Sequence, residues 1–183
     1  MLQGERVVLR PVQAWDRERL YELVETIEIR ALASGKPPLP LSLEEVEARD
    51  KRWIEEQDEN SAWFAIDVDA ELIGICGLHS LDHYQQLAEV GIRLGKDHWG
   101  KGFGQDAVRT LVDYGFRHLN LAKISLRVLA DDERAVGSYR KVGFVEEGRL
   151  RAHAWYDGAR HDELFMSVLR EEWEPRNPNA SSA

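Results

Sequence analysis

The chain has 183 residues, 43% hydrophobic and 31% charged, with a formal net charge of -9. That length fits one domain around one core, the lone Cys76 excludes a disulfide framework, and no apolar run is long enough to span a bilayer. The acidic balance disfavours nonspecific nucleic-acid binding, and Met1 to Arg10 holds Glu5 and Arg6 with no signal-like apolar stretch, so the expected location is the cytoplasm, with neither nucleic acid nor membrane as partner.

In chain order, Arg6 to Arg10 is a β-prone run closed by Pro11. Asp16 precedes a helical stretch with Leu20, Leu23, Val24 and Ile27 at helical spacing. Gly35 to Pro40 carries three prolines and must be a loop. Ser42 to Glu45 has the form of a capping box, which starts a helix expected to run toward Trp53 and Ile54. Trp63 to Val68 and Leu72 to Leu78 read as strands of a hairpin turning at Asp69-Ala70, and Leu87 to Leu94 is a third strand. After a Gly-rich turn, Ala107, Val108, Leu111, Val112, Gly115 and Phe116 recur at helical spacing. Lys123 to Leu129 alternates as a strand, Asp132 opens a short helix ending near Gly143, and a strand begins at Phe144. Trp155 to Gly158 is a turn before the last strand, Glu163 to Leu169. The order predicts an α/β fold: a mixed sheet covered by helices over residues 1–174, then a polar, disordered tail over 175–183.

Trp99-Gly100-Lys101-Gly102-Phe103-Gly104 carries the strongest chemical signal. Three glycines let a ligand approach the backbone. The first turn of the following helix offers unpaired N–H groups and the positive end of its dipole, which together form a pyrophosphate cradle. The spacing is neither a Walker A loop nor a dinucleotide fingerprint. A loop of this kind is often only a turn; its place between a strand and a strong helix favours the ligand.

Glu89 to Leu94, the loop just quoted, Asp132 to Ala135 and Tyr139 to Phe144 together closely resemble the GNAT acetyltransferases, in the manner of the ribosomal-protein-alanine and spermidine enzymes. The resemblance runs from Arg6 to about Trp173. It implies a mostly antiparallel sheet of about seven strands with a central splay. It also implies an N-acetyltransferase that moves an acetyl group from acetyl-CoA to a primary amine on a polyamine, protein N-terminus or small molecule, without a metal. By that resemblance Ile92, Arg93 and Leu94 pair with the pantetheine arm, and Trp99, Gly100, Lys101, Gly102, Phe103, Gly104 and Gln105 hold the pyrophosphate. Asp132 and Tyr139 line the arm, and Tyr139 protonates the departing sulfur. Two positions depart from the family pattern. Trp99 replaces a Gln or Arg, losing a side-chain phosphate contact, and Asp132 replaces the usual Asn.

The chemistry sets its own demands. An amine of pKa about 10.4 must lose a proton before it attacks a thioester, so the site needs a base, an oxyanion donor and an acid. Glu89 is the base candidate, weighed evenly against an exposed strand carboxylate with a cross-strand cation. His79 and His83 are four apart but fall at a strand end and loop with no third ligand, against a zinc site. Cys76 reads as buried filler and Ser138 as a helix-surface residue, while Trp53, Trp63 and Trp173 read as core or rim; Trp155 is a candidate wall of the acceptor pocket. The rival functions are an acyl-CoA-binding regulatory module without turnover and an ATP-binding protein. A homodimer is compatible with either.

Overall fold

The computed structural model describes residues 1–33, 38–46, 48 and 59–173. The strands are β1 (Leu2–Gln3), β2 (Val8–Pro11), β3 (Ala62–Val68), β4 (Glu71–Asp82), β5 (Leu87–Leu94), β6 (Lys123–Leu129), β7 (Val145–Tyr156) and β8 (Ala159–Leu169). The helices are α1 (Arg17–Val24), α2 (Ile27–Ala33), α3 (Phe103–His118), α4 (Glu133–Val142) and α5 (Arg170–Trp173). Among the described residues the strands form one sheet of order β1-β2-β3-β4-β5-β6-β8-β7, antiparallel except between β5 and β6. The sheet has eight strands rather than about seven: β1 is a two-residue strand paired through Leu2↔Leu9 and Gln3↔Val8, too short to show alternation.

Local chemistry explains the turns. Asp69 and Ala70 have φ of 50° and 65°, and Asp157 and Gly158 have 46° and 76°. Two successive positive φ angles give the tight hairpin whose twist matches the flanking strands. Among the described residues β5 and β6 are the one parallel pair, which requires a crossover, and α3 supplies it. Asp106 in the first turn of α3 is buried, and its carboxylate accepts the backbone N–H groups of Glu5, Arg6 and Val7, which ties the β1–β2 turn to the helix.

Two expectations shift. The first helical stretch breaks at Glu25, so Leu20 and Val24 belong to α1 and Ile27 to α2. Strand β4 runs on through His79 to Asp82, which puts His79 inside the strand rather than at its end. Asp16 directly precedes α1 as expected; its buried carboxylate takes two hydrogen bonds from Arg10 at 2.6 and 2.8 Å and accepts the Gln13 N–H, which caps the short helical turn before α1. The Ser42–Glu45 capping box forms in both directions: Ser42 N–H donates to Glu45 Oε2 and Glu45 N–H to Ser42 Oγ. The continuation to Trp53 and Ile54, part of the proline-rich stretch, and the 175–183 tail lie outside the described residues.

The sheet buries both faces. Residues of α3 and α4 pack with Leu78, Val90, Ile124, Leu126, Leu164 and Met166 in the larger core cluster. On the opposite face Leu20 and Val24 of α1 and Ile29 of α2 pack on Ala65, Leu72 and Ile75, with Trp63 and Trp99 at the margin. Cys76 is fully buried, and burial pushes its thiol far above the usual range, as expected of filler. Trp173 is buried too, its indole N–H on Asp113. Among the described residues no helix is long and apolar enough to cross a membrane.

Candidate active site

The site originates in the sheet. Strands β5 and β6 pair only through Leu87↔Lys123, Ala88↔Ile124 and Glu89↔Ser125. Beyond that point β5 keeps its pairing with β4 as far as Gly74↔Leu94, and β6 keeps its pairing with β8 as far as Leu129↔Glu163. The two strands therefore diverge, and a cleft opens between Val90–Leu94 on one side and Arg127–Leu129 on the other.

Backbone alternation decides what β5 shows this cleft. The Gly95 N–H donates to Ile73 of β4, and the Ala88 carbonyl accepts the Ser125 hydroxyl of β6. Groups on a strand alternate sides, so Glu89, Gly91 and Arg93 turn their backbone toward β4, while Val90, Ile92 and Leu94 turn theirs toward the cleft. In the open part of the splay no strand among the described residues takes up these last groups; the Leu94 carbonyl instead accepts the Trp99 indole N–H at 2.9 Å. Of the three residues expected to pair with a ligand arm, Ile92 and Leu94 thus offer backbone groups and Arg93 does not. Arg93 turns its side chain to α1, where Glu25 takes it at 2.5 Å and also pairs with Arg30.

The Gly-rich loop closes the next side. Gly100 and Gly102 have φ of 72° and 86°, angles that favour glycine. Gly104 sits in the first turn of α3 against β5: a Cβ there would lie 3.2 Å from the Leu94 side chain and 3.8 Å from that of Ile92. Trp99 and Gly104 line the cleft; Gly100, Lys101, Gly102, Phe103 and Gln105 are not among its lining residues. The Phe103 side chain is buried in the core under the Arg6 guanidinium, 4.4 Å from the ring centroid, and Arg6 also donates to the Lys101 carbonyl. For these residues the open resource is the backbone of the helix start.

Helix α4 forms the far wall. Asp132 caps it by accepting the Ala135 N–H at 3.0 Å and also pairs with Arg134, so its carboxylate works as a helix cap where an Asn was expected. Arg134 stacks on the Trp99 ring at 4.4 Å, joining α4 to the loop after β5. Trp99, which lacks the phosphate-binding side chain expected there, instead locks the end of β5 and seats Arg134. Tyr139 reaches the cleft, and burial, with the Asp132 charge adding and Arg134 opposing, pushes its phenol up to about 12. At neutral pH it stays protonated, the form an acid needs.

Glu89 stands at the apex, where the strands still pair, and outside the cleft lining. It shares the α1–α2 face with Gly91, whose missing side chain lets the Trp63 ring pack against the strand: a Cβ there would lie 2.9 Å from that ring and 3.4 Å from the His79 ring. Sequence reasoning missed several cleft residues. Ser138 lines the cleft rather than the helix surface; Ala135, Ser138 and Tyr139 stand at the i, i+3, i+4 spacing that marks one helix face. Ile29 and Leu32 of α2 share the same spacing, and Arg127 and Arg134 complete the lining. Trp155 is exposed, carries Arg160 at 5.6 Å and takes no part in the cleft.

Comparison with known proteins agrees with this geometry. Residues 6–145 match the model of the acetyltransferase (GNAT) domain. An uncharacterized N-acetyltransferase of Bacillus licheniformis is 38% identical over 103 residues, 56% of this chain and 58% of that protein. A putative ribosomal N-acetyltransferase of Bacillus subtilis is 29% identical, covering 93% of this chain and 95% of its own. Among solved structures, the spermidine N-acetyltransferase of Vibrio cholerae, in complex with CoA and spermine, superposes with a TM-score of 0.84 at 27% identity, covering 93% of this chain and 99% of that one.

Proposed function

The chain belongs to the GNAT acetyltransferase family, and from that premise we propose that it transfers an acetyl group from acetyl-CoA to a primary amine by direct attack, without an acetyl-enzyme. The splay between β5 and β6 carries this reading: it is a slot bordered by unpaired strand backbone and closed by a helix N-terminus. The pantetheine arm would add to the open edge of β5 as a strand does, through Ile92 and Leu94. Backbone N–H groups at the start of α3 would receive the pyrophosphate. The Leu94 N–H, on the side of β5 that turns toward the cleft, would donate to the oxyanion.

The two faces of the sheet divide the proton chemistry. Tyr139 enters from the α3–α4 face, protonates the sulfur as the C–S bond breaks, and regains its proton from the acylated nitrogen. Glu89 lies on the α1–α2 face, from which the amine approaches and where a carboxylate can take up its first proton.

The same face supports an acceptor with a single charge, such as a peptide N-terminus or small amine, over a polyamine. Among the described residues Glu25 pairs with Arg93 and Arg30, Glu28 with Lys96, and Glu163 with Arg127 and His153. A polycation requires several uncompensated carboxylates, and here Arg30, Arg93, Lys96 and Arg127 pair with these three. Thiol release from acetyl-CoA with spermidine, an alanine-initiated peptide and small amines tests both points. Turnover with the peptide or small amines above spermidine is expected; preference for spermidine would overturn the acceptor assignment, and no thiol release with any amine would overturn the reaction.

A further inference from the structure

Acetylation of an ammonium releases one proton to solvent in every cycle. The nitrogen begins with three hydrogens and ends as an amide with one. One of the two protons lost balances the thiol formed from the sulfur by way of Tyr139, and the other must leave the site. Glu89 can take that proton, but it stands at the closed apex of the cleft, with the reactants on its open side.

The structure provides an exit on the other side. His79 of β4 is the direct cross-strand partner of Glu89, both on the α1–α2 face. Side chains so placed have Cβ atoms about 5 Å apart. The His79 ring lies parallel to Trp63, with centroids 6.0 Å apart and planes 7° apart, and its edge is 3.4 Å from where a Gly91 Cβ would stand. Gly91 lines the cleft and His79 does not, so the imidazole stands behind the strand and meets the site through Glu89. On its far edge Nδ1 is 3.1 Å from the hydroxyl of Ser80, which is exposed. Ser80 has a φ of 54° and stands where the β4–β5 register shifts. A left-handed conformation is unfavourable for a serine, and strain of this kind gathers at functional sites. Here it accompanies the hydroxyl's contact with the imidazole.

We propose that His79 relays the acceptor's proton, receiving it at Nε2 from Glu89 and releasing the Nδ1 proton through the Ser80 hydroxyl to solvent. This relay rests on the acetyl-transfer reading above. Burial pushes the His79 imidazolium below its usual range while the Glu89 charge pulls it back up, which keeps the ring neutral and able to accept near pH 7. The resolved charge acting on the ring is that of Glu89 on β5; Trp63 on β3 and Ser80 present uncharged groups.

The test separates relay from packing. His79→Phe keeps a ring against Trp63 and removes the nitrogens; His79→Ala leaves a space that free imidazole can enter. With saturating acetyl-CoA and amine, both variants should lose turnover by roughly tenfold near neutral pH, less than the ~10² of a primary base. The deficit should shrink as pH rises and the amine arrives already neutral. Added imidazole should restore His79→Ala, and acetyl-CoA affinity should not change. Unaltered turnover in His79→Phe, or a loss equal at every pH and unmoved by imidazole, overturns the relay. The Glu89–His79 pair has a readout free of turnover. NMR of the ring should show His79 titrating at lower pH in Glu89→Gln, because a carboxylate that favours the imidazolium has gone; an unmoved titration also overturns the relay. Absence of thiol release from the unmodified protein would instead strike the acetyl-transfer reading.

Discussion

The two faces of the sheet at the splay are built differently. On the α3–α4 face the cleft is bordered by backbone: the open edge of β5, the first turn of α3 and the capped start of α4, held by the larger apolar cluster. On the α1–α2 face it is bordered by side chains: Ile29, Leu32 and Arg93, which Glu25 holds, and beside them Glu89, His79 and Trp63, the last two packed against Gly91. A pyrophosphate and an amide-bearing arm are the same in every reaction that uses them, so fixed backbone donors serve. An acceptor varies, and side chains are what vary with it.

The comparison breaks first at Gly104. In Gly104→Val the added carbons meet Leu94 and Ile92 and cover the helix start. Losing even one or two charge-assisted hydrogen bonds at about 1.5–3 kcal/mol each should weaken acetyl-CoA binding by roughly 10²-fold or more in calorimetry. Unchanged affinity would place the phosphates elsewhere. Tyr139→Phe comes next: turnover should fall roughly 10²-fold with acetyl-CoA affinity retained, and a loss within about twofold would remove the phenol from the chemistry. Glu89→Gln sharpens the acceptor side. A lost base lowers the maximal rate and moves the pH profile upward, whereas a lost attracting charge mainly raises the amine KM. The first pattern is expected; a normal maximal rate with an unmoved profile would leave Glu89 as a binding or structural residue. The smallest effect belongs to Trp99→Phe, which removes the indole N–H on the Leu94 carbonyl. A single hydrogen bond contributes about 1 kcal/mol, so Tm should drop by roughly 2–4 °C with a modest rise in acetyl-CoA KM; an unchanged Tm would mean that the end of β5 does not depend on Trp99.

The same division explains what the sequence discloses. Helix α3 and its loop were legible because glycine spacing and a buried stripe from Ala107 to Phe116 are local signals. The run of β4 through His79 was not, because the bulge at Ser80 breaks alternation just where the strand continues. Glu25 shows the limit most directly. Its partner Arg93 is 68 residues away, and nothing in the spacing of either announces the pair. Trp99 was legible as a departure from the family pattern, but its task, holding Leu94 and seating Arg134, required the fold.

The central claim is that the splay binds acetyl-CoA and passes its acetyl group to an amine across the sheet, with Tyr139 on one face. The most direct test is the rate of thiol release from acetyl-CoA, with and without amine, by the unmodified protein and by Tyr139→Phe, alongside acetyl-CoA affinity for both. The expected result is amine-dependent release by the unmodified protein, a roughly 10²-fold loss in the variant, and equal affinities. Tight acetyl-CoA binding with no amine-dependent release from either protein would contradict it, and would leave a binding module in place of an enzyme.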